Sequence, residues 1–263
     1  MRIYLPSSVD IQRLACKCLS TGSYCALCQS HTDANIDLCK SCLSLFKRCQ
    51  HRDREGVLSR LCAGCGFERR GASIEHDSSP YYCEDCEPTQ GMFLHRIVAP
   101  YRYSFPVDQL IKRIKYRQDR QLTRVLGTLM AQQVQLECVE DLPDLIVPMP
   151  LHANRYSMRG FNQSQDLANW LAKPLGLPVR ADLVRRIEDT GSLAGLSKLA
   201  RQQRILGAFR ASDAVKGKRL AIVDDVLTTG STARELAREL YDSGAESVEL
   251  WVLARTSSRL SGN

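Results

Sequence analysis

Residues 221–232 read Ala-Ile-Val-Asp-Asp-Val-Leu-Thr-Thr-Gly-Ser-Thr, and this stretch constrains the fold more than any other. The apolar run Leu220 to Val223 predicts a buried strand. Two adjacent carboxylates, Asp224 and Asp225, follow it, then a loop of small hydroxylated residues. Thr232 leads into a predicted helix patterned on Leu236 and Leu240. A strand that ends in acids and turns through such a loop into a helix N-terminus suits a sugar phosphate. Backbone N–H groups, hydroxyls and the helix dipole converge on the anion, and the carboxylates accept hydrogen bonds from ribose hydroxyls. A plain strand–loop–helix turn with an acid capping the helix is the competing reading. One carboxylate suffices for a cap; the pair with Thr-Thr-Gly-Ser-Thr asks for more.

At 263 residues the chain is long enough for a full α/β core and one accessory domain. No apolar run approaches the roughly 20 residues that span a bilayer, and Met1 to Asp10 lack the apolar core of a signal peptide. The expectation is a cytoplasmic protein with no membrane insertion. Residues 1–90 are balanced in charge, so the whole formal excess of +7 falls in residues 91–263. That suits a polyanionic ligand, either a pyrophosphate-bearing sugar or nucleic acid, and equally a well-solvated surface.

Eleven of the twelve cysteines precede residue 87, and eight form four C-x-x-C pairs: Cys25/Cys28, Cys39/Cys42, Cys62/Cys65 and Cys83/Cys86. Two thiolates at that spacing occupy one tight knuckle and supply two corners of a tetrahedral Zn²⁺ site, so four knuckles allow two structural sites. Disulfides compete with this reading, but the chain shows no export signal. Redox motifs compete too, yet four copies outside a βαβ context argue against them. Sequential pairing places Cys25, Cys28, Cys39 and Cys42 on one ion and Cys62, Cys65, Cys83 and Cys86 on the other. Crossed pairing stays open. Cys16, Cys18 and Cys49 lie outside the pairs, and none of His31, His51 and His76 is assigned as a ligand. With few large apolar residues the region depends on metal to fold.

Beyond the cysteines a short strand is predicted around Ile97–Tyr103. A helix follows from Pro106, with Val107, Leu110, Ile111 and Ile114 on one stripe. Its other faces carry Lys112, Arg113, Lys115, Arg117 and Arg120. These either face solvent, the preferred reading, or meet phosphate with Tyr116 stacking on a base. A second helix covers about Leu122 to Cys138. Asp144 to Pro150 reads as the first core strand, Val179 to Ile187 as another, and Ser247 to Leu253 as a parallel strand. A helix after Arg159-Gly160-Phe161-Asn162-Gln163-Ser164 carries Leu167, Trp170 and Leu171 on one face.

The 221–232 stretch resembles the motif with which type I phosphoribosyltransferases bind 5-phosphoribosyl 1-pyrophosphate (PRPP). Arg159-Gly160-Phe161-Asn162-Gln163, taken in order with the knuckles, Lys112-Arg113-Ile114-Lys115-Tyr116 and that motif, is similar to the ComF/GntX family. These are phosphoribosyltransferase-like proteins with an N-terminal zinc ribbon, and the resemblance covers about Cys25 to Thr256. It implies a parallel twisted sheet flanked by helices over residues 91–263 and a zinc-ribbon domain over residues 1–90. It implies that Asp224 and Asp225 hold ribose hydroxyls and that Thr228, Thr229, Gly230, Ser231 and Thr232 cradle the 5-phosphate. The loop Leu151 to Arg155 would meet pyrophosphate through Arg155, and Mg²⁺ would accompany PRPP. A flexible hood offers Arg185, Arg201 and Arg204 as further pyrophosphate contacts, against which surface charge competes. Two functions follow: transfer of a phosphoribosyl group to an acceptor with release of pyrophosphate, or PRPP binding without catalysis in single-stranded DNA handling and DNA uptake. A third, an adaptor with a vestigial pocket, sits poorly with the intact Asp-Asp-x-x-Thr-Thr-Gly. No stretch identifies an acceptor pocket or sets the oligomeric state.

Overall fold

The computed structural model describes residues 23–32, 36–49, 61–66, 82–83, 86, 94–138, 141–189 and 204–256. Expectations for Cys16, Cys18, His51, His76, Arg201 and the rest of residues 190–203 lie outside the described residues. Contacts gather the chain into two compact units, Met1–Leu45 and Phe46–Asn263.

In the first unit β1 (Ser23–Tyr24) pairs antiparallel with β2 (His31–Thr32) across the Cys25–Cys28 knuckle. The backbone N–H of Gln29 donates to the Cys25 carbonyl at 2.9 Å, which closes the knuckle, and Gln29 takes a left-handed φ of 61°. The short helix α1 (Lys40–Leu43) starts at Cys39, whose Sγ accepts from the Cys42 N–H at 3.4 Å.

The second unit is built on a five-stranded parallel sheet. Its members are β3 (Arg96–Val98), β4 (Tyr101–Arg102), β5 (Leu145–Pro148), β8 (Arg219–Leu227) and β9 (Ser247–Arg255). The order is β3-β9-β8-β5, with β4 also on β9. A parallel sheet is covered on both faces, so its central strands are largely apolar; Leu220 to Val223 and, with the charged Glu249 among them, Val248 to Ala254 are buried throughout. On one face Ile222, Leu250 and Val252 pack with Phe209 and with Leu236 and Leu240 of α6 (Ser231–Asp242). On the other lie α3 (Gln121–Glu137), against β9, and α5 (Gln163–Leu175), against β8. The expected stripe of α2 (Val107–Arg117), namely Val107, Leu110, Ile111 and Ile114, is buried. No helix among the described residues is long and apolar enough to cross a membrane.

Three expectations need correction. Strand β8 does not stop at Val223: Asp224 keeps Val252 as its ladder partner, and pairing runs on to Leu227. Residues 153–155 are not loop, because His152 is extended and caps a short helix, α4 (Ala153–Arg159), with Nδ1 3.3 Å from the Asn154 N–H. The Val179–Ile187 stretch is not one strand. Only Val179 bridges to the sheet, at Ile146. A 3₁₀ turn at Ala181–Leu183 then leads into β6 (Val184–Arg186), which pairs antiparallel with β7 (Phe209–Ala211), apart from the parallel sheet.

Candidate functional site

Adjacent residues on a strand point to opposite sides, and the two acids of β8 find different partners. Asp225 is buried, and its Oδ2 lies 2.6 Å from Lys115 Nζ on α2. Asp224 is half-buried. Its Oδ1 accepts from Ser164 Oγ at 2.8 Å and from the Asp225 N–H at 2.9 Å. Burial, and then the charge of Asp225, push the Asp224 carboxyl up to about 6, against the opposing pull of Lys115 and the Ser164 hydroxyl. Burial pulls the Lys115 ammonium down, but its pairing with Asp225 prevails and the net shift is upward. The site therefore holds one compensated carboxylate and one that gives up its proton reluctantly.

The expectation that the α2 cations face solvent fails for Lys115. A buried carboxylate needs a counter-charge, and Lys115 supplies it. Lys112 instead pairs with Asp108 one turn back at 2.9 Å, half out in solvent. Ser164 owes its place to the run that precedes it. Gly160 ends α4 in a left-handed conformation, and Phe161 is buried. Asn162 caps α5 through Oδ1 to the Ser164 N–H at 3.0 Å while its Nδ2 donates to the Met149 carbonyl at 3.0 Å. That bridge fixes the start of α5 to the end of β5, which aims Ser164 at Asp224. Around it, Arg159 bonds Gln163 at 2.5 Å and Arg120 forms a bidentate pair with Asp166 at 2.7 and 2.8 Å.

After Leu227 the chain turns through exposed Thr228 and half-buried Thr229 to Gly230, at φ 73°, and α6 begins at Ser231, one residue before the expected start. Thr229 Oγ1 lies 3.1 Å from Ser231 Oγ. Arg155 is on α4, half-buried. It lies close enough to Arg186 on β6 that its charge, after burial, helps lower the Arg186 guanidinium, while Asp189 and Asp224 pull that group back up. Arg186 is thus within electrostatic reach of Asp224, and its neighbour Arg185, the residue expected to meet the ligand, is exposed. Arg204 is exposed too.

Each cysteine tetrad comes together as sequential pairing predicts. The Sγ atoms of Cys25, Cys28, Cys39 and Cys42 lie within 4.8 Å of one another, as do those of Cys62, Cys65, Cys83 and Cys86. The Cys28–Cys39 and Cys65–Cys83 separations are both 3.7 Å. A tetrahedral ion with bonds of about 2.3 Å to sulfur needs an edge of about 3.8 Å, so both tetrads can hold a metal ion and fit a zinc ribbon. The Gly64 and Cys83 N–H groups donate to Cys62 Sγ at 3.3 and 3.2 Å, as is usual around thiolate ligands. A third cluster, His95, Asp141 and Glu249, is already served by cations. Arg96 lies 3.7 Å from Glu249 and 3.8 Å from Asp141, Arg219 pairs with Asp141, and Trp251 donates to Glu249 at 2.9 Å.

A phosphoribosyl transferase domain is what this sheet, its acid pair and the loop into α6 define, and the family model of that description matches residues 159–261. The chain is 32% identical over 241 residues, 90% of its length and 99% of the other's, to "DNA utilization protein YhgH" of Salmonella typhimurium. It is 30% identical to "Competence protein F" of Haemophilus influenzae, covering 74% of this chain and 90% of that one, and 24% identical to "Competence protein ComFC" of Bacillus subtilis, covering 88% and 95%. The chain belongs to the ComF/GntX family. Among solved structures it is similar to the "structure of the allosteric regulatory enzyme of purine biosynthesis" (TM-score 0.35, 23% identity, 49% of this chain and 25% of that one).

Proposed function

We propose that the protein binds PRPP at the carboxyl end of β8 and transfers its phosphoribosyl group to an acceptor, releasing pyrophosphate. The observation that carries this reading is the pair Asp224 and Asp225 held by Ser164 and Lys115 directly before the Thr228–Ser231 turn. The carboxylates accept from the ribose hydroxyls and favour the positive charge that grows on the ring as the C1–O bond breaks. Thr228, Thr229, Gly230, Ser231 and Thr232 receive the 5-phosphate at the N-terminus of α6. Arg155, with Arg186 beside it, meets the departing pyrophosphate. With Asp225 compensated by Lys115 and Asp224 held by Ser164, the acids suit a Mg²⁺ held chiefly by ligand oxygens; bound with PRPP, the ion would offset charge on the leaving group. Zinc is the metal we assign to both tetrads, and none of the ten described cysteines is in a disulfide, in keeping with a reducing cytoplasm.

Calorimetric titration with PRPP and Mg²⁺ tests the ligand. Wild type should bind, and an Asp224→Asn/Asp225→Asn variant should not; no heat from folded, zinc-loaded wild type at two temperatures would sink the reading. Asp224 adds a check by pH. Its carboxyl is raised in the folded protein to about 6, above the roughly 3.9 of an unfolded chain, so the folded state binds the extra proton and stability falls as pH rises from about 4 to 6. Asp224→Asn, which keeps the oxygen that Ser164 donates to, should lack that fall and be more stable than wild type at pH 7.5 by about 1–2 kcal/mol. Parallel urea-unfolding profiles of the two across pH 4–8 would contradict it.

A second reading, a non-catalytic PRPP-binding factor that handles single-stranded DNA for the uptake machinery, draws on the relatives' names and on one surface. Tyr116 on α2 is 77% exposed beside the exposed Lys112 and Arg117. Single-strand binding that weakens with salt and is lost in Tyr116→Ala/Arg117→Ala would favour it.

A further inference from the structure

The second cysteine tetrad lies against the anion loop, not apart from it. Arg234, in the first turn of α6, donates from Nη1 to the Gly64 carbonyl at 3.0 Å and from Nη2 to the Thr229 carbonyl at 2.7 Å. Gly64 sits inside the Cys62–Cys65 knuckle and Thr229 inside the loop, so one guanidinium ties the two together. Gly230 is pressed onto the same group: a Cβ there would lie 2.8 Å from Arg234 Nη1. On the near side of the loop, a Cβ on Gly66 would lie 2.7 Å from Leu227 Cδ2. Arg255, at the end of β9, donates from Nε to the Cys65 carbonyl at 2.7 Å. The knuckle thus meets the chain before and after the turn, and reaches into it through Arg234.

The loop needs this fastening. Apart from the bond of the Arg234 backbone N–H to the Gly230 carbonyl at 2.9 Å, its own support is the Thr229–Ser231 hydroxyl contact and a long 3.5 Å bond from the Ser231 N–H to Thr229 Oγ1. The charges agree as well. Four thiolates around a divalent ion carry a net charge of about 2−, and the Arg234 and Arg255 guanidiniums stand against the knuckle. Burial pushes the Arg234 guanidinium down, and the Cys86 and Cys65 thiols are the groups that pull it back up.

We infer that Arg234 is a positioning residue through which metal held by Cys62, Cys65, Cys83 and Cys86 fixes the Thr228–Ser231 loop in its anion-receiving shape. Loss of that ion lets the knuckle relax, frees Arg234 and unfastens the turn. The two equilibria are linked, so an anion on the loop tightens the metal by the same factor. The identity of that anion rests on the PRPP reading; the link itself does not.

The test is hydrogen–deuterium exchange of residues 226–236 in the full, zinc-loaded chain without ligand. Arg234→Ala should speed exchange of the loop and first-turn amides about tenfold with zinc content unchanged and β8 and β9 still protected. Arg234→Lys, able to reach one carbonyl only, should fall between. Cys65→Ser should loosen the same amides, and the double variant no further, whereas Cys25→Ser should leave them at the wild-type rate. Release of zinc to a chromogenic chelator should be faster from Arg234→Ala, in one of the two metal equivalents only. Wild-type loop exchange in Arg234→Ala, or equal loosening in Cys25→Ser, overturns the inference. If Cys65→Ser does not fold, the two Arg234 variants and the zinc-release rate decide alone. A wild type that shows this pattern but takes up no PRPP refutes the ligand and leaves the clamp standing.

Discussion

Two of the C-x-x-C turns, Cys25-Ala-Leu-Cys28-Gln29 and Cys62-Ala-Gly-Cys65-Gly66, close in the same way and have different neighbours. In both, the residue after the second cysteine is left-handed, with φ 61° at Gln29 and 68° at Gly66, and in both its N–H closes the turn onto the first cysteine's carbonyl, at 2.9 and 2.7 Å. Within its own unit the first turn tolerates a glutamine in a conformation that costs an L-residue about 1–2 kcal/mol. The second needs glycine twice over, for the dihedral and because Leu227 and Arg255 leave no room for a Cβ. Identical ligand chemistry therefore serves two ends. One turn shapes its own small unit; the other is a supporting wall of the parallel-sheet unit.

Removing the metal ligands should separate them most sharply. Cys62→Ser/Cys83→Ser should cost the second unit more than about 3 kcal/mol or prevent its folding, while Cys25→Ser/Cys42→Ser should leave that unit's thermal transition in place. Equal loss from both would erase the distinction. A smaller effect comes from exchanging the residues after the turns. Gly66→Gln, the first turn's own choice, should destabilise the second unit by about 1–3 kcal/mol through overpacking on Leu227, read as a lower urea midpoint. The reverse exchange, Gln29→Gly, should be the mildest, a gain of at most about 1 kcal/mol seen as tighter zinc retention by the first tetrad. A Gly66→Gln variant as stable as wild type would show that the contact with Leu227 is soft.

The sheet was legible because strands buried on both faces are written as apolar runs, as in Leu220–Val223 and Leu250–Ala254. The acid pair, the hydroxylated turn and the tetrads were legible because each is contiguous or regularly spaced. What escaped were the side-chain partners that the acids and the loop draw from elsewhere in the chain. Ser164 reaches an acid 60 positions away, and Arg234 a carbonyl 170 away. A helical period sorts side chains into buried and exposed but does not say what an intermediate one touches. Lys115 carried one faint signal, its place four residues after Ile111 at the border of the buried stripe. Arg186 carried none that set it apart from Arg185, since the choice between them depends on which way a three-residue strand faces.

The bonds from Arg234 to Gly64 and from Arg255 to Cys65 join residues 170 and 190 positions apart, and this orders events as the chain is made. The ribosome delivers the knuckle well before its two arginines. The last thiol of the second tetrad, Cys86, precedes Arg234 by 148 residues and Arg255 by 169, so at about 5–20 residues per second there is an interval of about 7–34 s in which the tetrad is complete and the wall it belongs to is not. A metal ion captured in that interval is held by a knuckle without its arginines, so the second site is started before the sheet it supports and finished with it.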